Sequence, residues 1–356
     1  KNGEQKTKPT QHSVKELRSI GLQPDILVGR CENELDPKTK EKIALFCDVP
    51  TEAVFSNADV EDVYHVPLMV EEEGLDEYVM ERLNLTEEAL PPEERSTEWR
   101  DLVTRERTET VDVALVGKYD LEDAYMSVHE ALKHAGIERS VEVNVEWVDA
   151  DEMADHHTER LEEADGIVVP GGFGSRGTEG KIEAIRYARQ NDVPFLGLCL
   201  GFQMAVVEHA RNILGLEGAN SAEIDPETAY PVIDLLPEQY ETEEMGGTMR
   251  LGTHETDIDP DTLAAAVYGD TSCTERHRHR YEVNPEYIPD LESDGLTFSG
   301  YAGNRMEIVE REDHPYFLGT QFHPEFRSRP NRASPPFVGL LDAVLDLQDA
   351  EEEVSA

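Results

Sequence analysis

Val193-Pro-Phe-Leu-Gly-Leu-Cys-Leu-Gly-Phe-Gln203 carries an apolar run into Gly197, a cysteine at position 199, then Gly201 and a helix-compatible segment. The pattern reads as a strand, a tight turn and a helix, with Cys199 at the tip. A nucleophile elbow of this kind lifts one side chain to the top of an α/β sheet. Glycines flank it because the turn is crowded and a Cβ would clash. Far downstream stands Gln321-Phe-His-Pro-Glu325. A cysteine, a histidine and a carboxylate together suggest nucleophilic acyl transfer.

The rest of the chain reads as two α/β parts. With 356 residues, 38% of them hydrophobic, it can bury more than one core. A short αβαβ pattern comes first: a helix near Ser13–Ser19, a strand at Pro24–Val28, and a helix over 37–47 with Ile43, Ala44, Leu45 and Phe46 partly buried. Strands at Val54-Phe55 and Val63–Val66 and a helix at Asp76–Leu83 complete it. The pattern is too short for a whole domain of its type and suggests the C-terminal remnant of one. Residues 1–88 are assigned to this remnant. Residues 89–109, with Pro91-Pro92 and many charges, read as a linker in which Thr97–Arg107 is a solvated helix.

A second α/β domain is placed at 110–347. Its strands are Val111–Val116, Val141–Val148, Asp165–Val169, Pro194–Leu198 and Tyr316–Phe322, and its helices Ala124–His134, stopped by Gly136, and Lys181–Gln190. Strands alternating with helices imply a mostly parallel central sheet with flanking helices. Residues 348–356 read as a frayed acidic tail. The chain has no initiator Met, so Lys1 is expected to open inside a longer reading frame.

No run of 18 apolar residues and no signal-peptide pattern occurs. Cys31, Cys47, Cys199 and Cys273 lack CxxC spacing, so a disulfide framework or metal site is not expected and a cytoplasmic setting is. The net charge is −45, and the acid is spread along the whole chain; lysine is scarce, at ten residues. Nucleic-acid binding is disfavoured at this charge. Dispersed acid fits a protein adapted to molar salt, where self-repulsion is screened.

At the elbow, helix N–H groups favour a thiolate at Cys199. A lone cysteine is ordinarily a small buried hydrophobe; the glycine–cysteine–glycine turn after an apolar strand tips the reading to a nucleophile. His323 would move the proton and Glu325 would orient the imidazole. The N–H of Leu200 supplies one oxyanion donor by elbow geometry. Gly172, in Pro170-Gly-Gly-Phe-Gly174, is the choice for the second, although such a segment alone reads as a plain Gly-rich connection.

PGGFG, GLCLGFQ and QFHPE together resemble the triad-type class I glutamine amidotransferases, a flavodoxin-like α/β fold. Ala219-Asn-Ser-Ala-Glu223, Gly246-Gly-Thr-Met-Arg-Leu-Gly252 and Glu275-Arg-His-Arg-His-Arg-Tyr-Glu-Val-Asn284 narrow the resemblance. With Lys6-Thr-Lys-Pro-Thr-Gln11 and Gln23-Pro-Asp-Ile-Leu27, they resemble the CTP synthase family over nearly the whole chain. That family uses ATP to aminate UTP to CTP with ammonia from glutamine.

The resemblance implies further roles. Glu223 would meet the α-amino group of glutamine and Arg280 its α-carboxylate, with Gln203 lining the same pocket. Lys6, Thr7, Lys8, Pro9, Thr10 and Gln11, with Lys42, would hold UTP or CTP. Phe173 and Arg250 would sense GTP, the family's activator. ATP and Mg²⁺ are implied for the full-length enzyme, but no Gly-x-x-x-x-Gly-Lys-Ser/Thr phosphate loop occurs here. The expected fragment hydrolyses glutamine without phosphorylating UTP; full-length relatives form homotetramers.

Without the motif context, Glu223 is one of 77 acids and Lys6-Thr-Lys8 a solvated segment. Two other readings are a non-catalytic nucleotide- or partner-binding module and a γ-glutamyl peptidase. The complete Cys–His–Glu set disfavours the first, and the glutamine-clamp residues the second. Cysteine at the elbow excludes a serine esterase. The charge pattern predicts loss of structure at low salt; a melting curve unchanged between dilute buffer and molar KCl would contradict the salt adaptation.

Overall fold

The structure is a computed structural model describing residues 5–85, 96–118, 124–153, 158–235 and 249–355. The chain divides into two compact units, Lys1–Thr104 and Arg105–Ala356. The Pro91-Pro92 segment, read as a linker, lies outside the described residues.

Unit 1 contains helix α1 (Lys8–Ser19), strand β1 (Leu27–Cys31), α2 (Pro37–Cys47), β2 (Val54–Ala58), α3 (Val66–Glu72), α4 (Leu75–Leu83) and α5 (Thr97–Val103). The strands pair in parallel from Leu27 opposite Val54 to Cys31 opposite Ala58. Val14, Ile43, Ala44, Cys47 and Val54 form its small core.

Three local readings change here. Helix α1 starts at Lys8 rather than Ser13, because Pro9 fits a first helical turn, where no N–H is needed. Val63–His65 is a 3₁₀ turn leading into α3, not a strand. The Asp62 side chain accepts from the Tyr64 N–H at 2.9 Å, and Pro67 opens the helix, so local capping overrides the β-branched composition. Leu45 and Phe46 are exposed, while Ile43, Ala44 and Cys47 are buried in the core.

Unit 2 runs β3 (Glu109–Gly117), α6 (Met126–Arg139), β4 (Val141–Asp149), α7 (Ala150–Met153), β5 (Gly166–Val169), α8 (Thr178–Gln190), β6 (Phe195–Leu198) and α9 (Leu200–Asn212). It continues with β7 (Asn220–Ser221), β8 (Pro231–Asp234), β9 (Arg250–Ile258), α10 (Leu263–Tyr268), β10 (Ser272–His279), β11 (Glu282–Val283) and α11 (Ile288–Glu292). It ends with β12 (Thr297–Ala302), β13 (Arg305–Glu310), β14 (Phe317–Thr320) and α12 (Pro335–Ser355).

The main sheet has the order β10-β9-β12-β13-β14-β6-β5-β3-β4, and β11, β8 and β7 form a small second sheet. Strands β14, β6, β5, β3 and β4 are mutually parallel; β13, β12, β9 and β10 extend them in antiparallel fashion. Alternation divides the side chains between two cores. Ala114, Val116, Ile167, Val169 and Phe195 pack with α8 and α9. Val113, Leu115, Val168, Leu196 and Leu198 pack with α6 and α12. Burial on both faces explains why these strands read as continuous apolar runs.

Helix α6 passes through Gly136 to Arg139 instead of stopping there. A Cβ on Gly136 would lie 2.8 Å from both the Val141 carbonyl oxygen and Val143 Cγ2. Its role is close approach to β4, not termination. Helix α12 continues through the acidic segment to Ser355, where fraying was expected, because Ala and Glu are good helix formers.

The parallel block brings three strand ends side by side, since β6 lies between β14 and β5. Ligand sites in such sheets form at the carboxyl ends of the strands. At the end of β5 a Cβ on Gly201 would come within 2.0 Å of the Val169 carbonyl oxygen. Gly201→Ala should therefore cost about 1–3 kcal/mol or more, as overpacking against backbone does. Chemical denaturation in molar KCl measures it; wild-type stability in the variant would contradict the reading.

Candidate active site at the elbow

The strand-to-helix turn places Cys199 at φ 52°, ψ −97°, immediately before the first residue of α9. An L-residue held at positive φ stores strain, and the surrounding packing must over-determine it. A Cβ on Gly197 would lie 2.9 Å from the Gly201 carbonyl carbon, so glycine is needed on both sides of the turn. The Cys199 N–H donates to the Thr320 carbonyl at 2.7 Å, tying the turn to the end of β14. The thiol is nearly buried, at 4% exposure.

His323 and Glu325 follow β14. His323 Nδ1 and Glu325 Oε1 are 2.7 Å apart. The His323 N–H donates to the Arg276 carbonyl at 2.8 Å, and its ring stacks on Phe326 with centroids 5.3 Å apart. Burial opposes charging of this imidazole. The Cys199 sulfur and the Glu325 carboxylate outweigh it and hold the His323 pKa well above the usual imidazole range. The structure therefore brings Cys199, His323 and Glu325 together.

Pro170–Gly174, following β5, forms the opposite wall. A Cβ on Gly171 would lie 2.9 Å from His323 Cε1 and 3.5 Å from Cys199 Cβ. One on Gly172 would meet Leu200 Cδ2 at 3.6 Å and Lys118 Cε at 3.0 Å. Gly172 and Leu200 thus flank the thiol from two elements.

A cleft beside Cys199 is lined by Gly172, Gln203, Glu223 and Arg280, together with Met249, His279 and Tyr281. Glu223 Oε1 accepts from the Gly174 N–H at 3.3 Å. The Gln203 amide donates to the Tyr281 carbonyl at 3.0 Å and to Gln321 Oε1 at 3.1 Å, so it is built into the wall. Phe173 stands half-exposed at the rim, with the Arg278 guanidinium 5.8 Å from its ring centroid.

Arg250 is only partly exposed. It ion-pairs with the fully buried Glu307. Gly246, Gly247 and Thr248, the start of its motif, lie outside the described residues. His277, His279 and Glu307 bring their ligand-type atoms within 4.8 Å of one another. His277 Nδ1 and His279 Nε2 are 2.9 Å apart, and Arg250 already supplies positive charge to Glu307. His277 Nδ1 lies 3.7 Å from Glu307 Oε2, and among the described residues His277 Nε2 and Glu307 Oε2 have no hydrogen-bond partner.

Sequence reasoning missed three residues of this site. Gln321 is fully buried and directs its amide at Cys199 Sγ, 3.8 Å away. Lys118 and Lys181 are buried behind the glycine loop. The signal was the scarcity of lysine, which makes two of ten beside one loop notable.

In unit 1, Thr7 is buried and its Oγ1 accepts from the Gln11 amide at 3.0 Å. Lys8, Pro9, Thr10 and Gln11 form the first turn of α1. Lys6, Lys8 and Lys42 are exposed. Among the described residues no hydrogen bond or ion pair joins these three lysines.

Residues 120–343 match the family model for glutamine amidotransferase class-I, and residues 1–85 that for the CTP synthase N-terminus. The chain is 77% identical over 349 residues to a CTP synthase of Halobacterium salinarum, covering 98% of this chain and 63% of that protein. It is 59% identical over 355 residues to that of Archaeoglobus fulgidus, covering 98% of this chain and 66% of the relative. The chain thus spans less than two thirds of the length of these curated relatives. A solved glutaminase domain of Trypanosoma brucei CTPS with bound acivicin is 38% identical, with a TM-score of 0.63, covering 66% of this chain and 94% of that one.

The histidine pair sets a pH dependence of its own. Burial, then Arg250, pushes His277 down to about 2 and His279 to about 3, against a usual 6.5. From about pH 6.5 towards 3 the unfolded chain binds protons that the folded chain refuses. Stability from the neutral pair is therefore present above about 6.5 and is lost on acidification. Denaturation of wild type and His277→Gln in molar KCl across about pH 7 to 4 checks this. The wild-type midpoint should fall more steeply; parallel curves would contradict it.

Proposed function

Since the chain belongs to the CTP synthase family, we propose that its elbow site hydrolyses glutamine and that the whole protein uses the released ammonia to convert UTP to CTP at the expense of ATP. The observation that carries the glutaminase reading is the 2.7 Å His323–Glu325 contact beside a cysteine held at positive φ.

In this reading Cys199 gives its proton to His323 and the thiolate attacks the glutamine side-chain carbonyl carbon. The tetrahedral oxyanion is met by the N–H groups of Leu200 and Gly172. His323 protonates the departing nitrogen, ammonia leaves, and a γ-glutamyl thioester remains on Cys199. His323 then takes a proton from water, which attacks the thioester and releases glutamate. Glu325 keeps the imidazole oriented and stabilises its charged form. Glu223 meets the α-amino group and Arg280 the α-carboxylate, where a guanidinium fork suits a carboxylate.

Lys6, Lys8 and Lys42 offer point charges to the triphosphate of UTP or CTP, with Thr7, Pro9, Thr10 and Gln11 completing the site at the start of α1. ATP and Mg²⁺ chemistry is assigned to the part of the relatives' length that this chain does not span. GTP would stack on the exposed face of Phe173. Arg250, paired with the buried Glu307, would act through that carboxylate without touching the nucleotide. The whole protein is read as a cytoplasmic homotetramer.

Glutamate release from glutamine, measured in molar KCl with and without GTP, tests the reading. Cys199→Ala should lower kcat by about a thousandfold or more, as loss of a covalent nucleophile does. Undiminished release in that variant would overturn the mechanism.

A further inference from the structure

Lys181 and Lys118 take no part in the proton transfers, yet both are buried beside the nucleophile. Lys181 extends from α8, is completely inaccessible, and donates from Nζ to the Pro170 carbonyl at 2.5 Å. Lys118, immediately after β3, is 2% exposed and donates to the carbonyls of Phe173 and Gly174, the latter at 3.4 Å. An ammonium removed from water is costly unless strong acceptors meet it. Here the named acceptors are backbone carbonyls of one five-residue loop.

We propose that Lys181 and Lys118 are positioning residues that clamp the glycine loop from behind, so that its N–H groups stay turned towards the oxyanion of the reaction at Cys199. This rests on the glutaminase reading for its chemical meaning.

The physical basis is peptide planarity. A carbonyl and the following N–H lie in one plane and point in opposite directions. Fixing the Pro170 carbonyl on Lys181 fixes the Gly171 N–H. Fixing the Phe173 carbonyl on Lys118 fixes the Gly174 N–H, which is the group that donates to Glu223. The two peptide planes that bracket Gly171-Gly172-Phe173 are therefore held at both ends. Glycine peptides rotate easily, and an unheld Gly171–Gly172 plane could present a carbonyl, not an N–H, to the developing anion.

The electrostatics agree. Burial, then the neighbouring Lys118, pulls Lys181 down to about 7, while the Cys199 sulfur opposes the shift. Burial likewise lowers Lys118, with Glu223 opposing. A negative charge at Cys199 or on the oxyanion thus favours the ammonium form of the clamp.

Lys181→Met keeps the length and apolar body of the side chain and removes the ammonium. Its kcat for glutamine hydrolysis should fall by about tenfold to a hundredfold, less than or comparable to loss of an oxyanion donor. KM for glutamine and the thermal midpoint should stay close to wild type. A purely structural lysine would instead lower the midpoint and the activity together. A glycine-selective ¹⁵N spectrum adds a readout that needs no turnover: the amides of Gly171, Gly172 and Gly174 should shift or broaden in Lys181→Met.

A folded variant with unchanged kcat, or with unchanged loop amides, overturns the clamp. Should Lys181→Met not fold, Lys118→Met carries the same two measurements, read at Gly174. A wild-type protein that releases no glutamate, with loop amides that still shift in the variant, overturns the glutaminase reading and leaves the clamp standing.

Discussion

The site depends on one backbone approach. Gly201 at the start of α9 lies so close to the Val169 carbonyl that no side chain fits, and Gly197 faces Gly201 across the same turn. This lets α9 begin at the end of β6 without displacing β5. Cys199 is left at positive φ between strand ends that deliver the glycine loop on one side and His323 on the other. The strain at one residue is balanced by the close packing of three strands and a helix, a balance that small changes in core volume disturb.

The same geometry shows what was legible in the chain and what was not. The elbow could be read because its glycines and cysteine act through sequence-local backbone geometry. The parallel strands could be read because burial on both faces writes an unbroken apolar run. Gly136 was misread because its reason is tertiary: it faces β4, which the local sequence cannot show. Val63–Val66 was misread because a side-chain cap at Asp62 outweighed β-branched composition. Gln321 and the two lysines escaped for a different reason. Residues of these types are mostly exposed, a prior that outweighed the apolar strands beside Gln321 and Lys118.

Basic residues are divided by task. Arginines meet the acids in pairs such as Arg160–Glu146 on the surface and Arg189–Glu208 in the interior, where Glu208 is fully buried. The exposed pair contributes little to stability. The buried one is held by three guanidinium contacts of 2.7–3.1 Å, a geometry lysine cannot reproduce. Two of the ten lysines, Lys118 and Lys181, stand buried in the wall behind the thiol. Acid therefore dominates the composition, while cations dominate the space behind the glycine loop.

Burial also sorts the four sulfurs. It raises the pKa of Cys31 and of Cys47, and pushes Cys273 up to about 12. Those three remain protonated at neutral pH, whereas Cys199 interacts directly with the His323 imidazole. If Cys199 is the nucleophile proposed above, an electrophile or oxidant meeting this protein encounters one competent sulfur among four. On the proposed reading, the chain can carry three spare cysteines without exposing the whole molecule to the hazards of the chemistry assigned to the fourth.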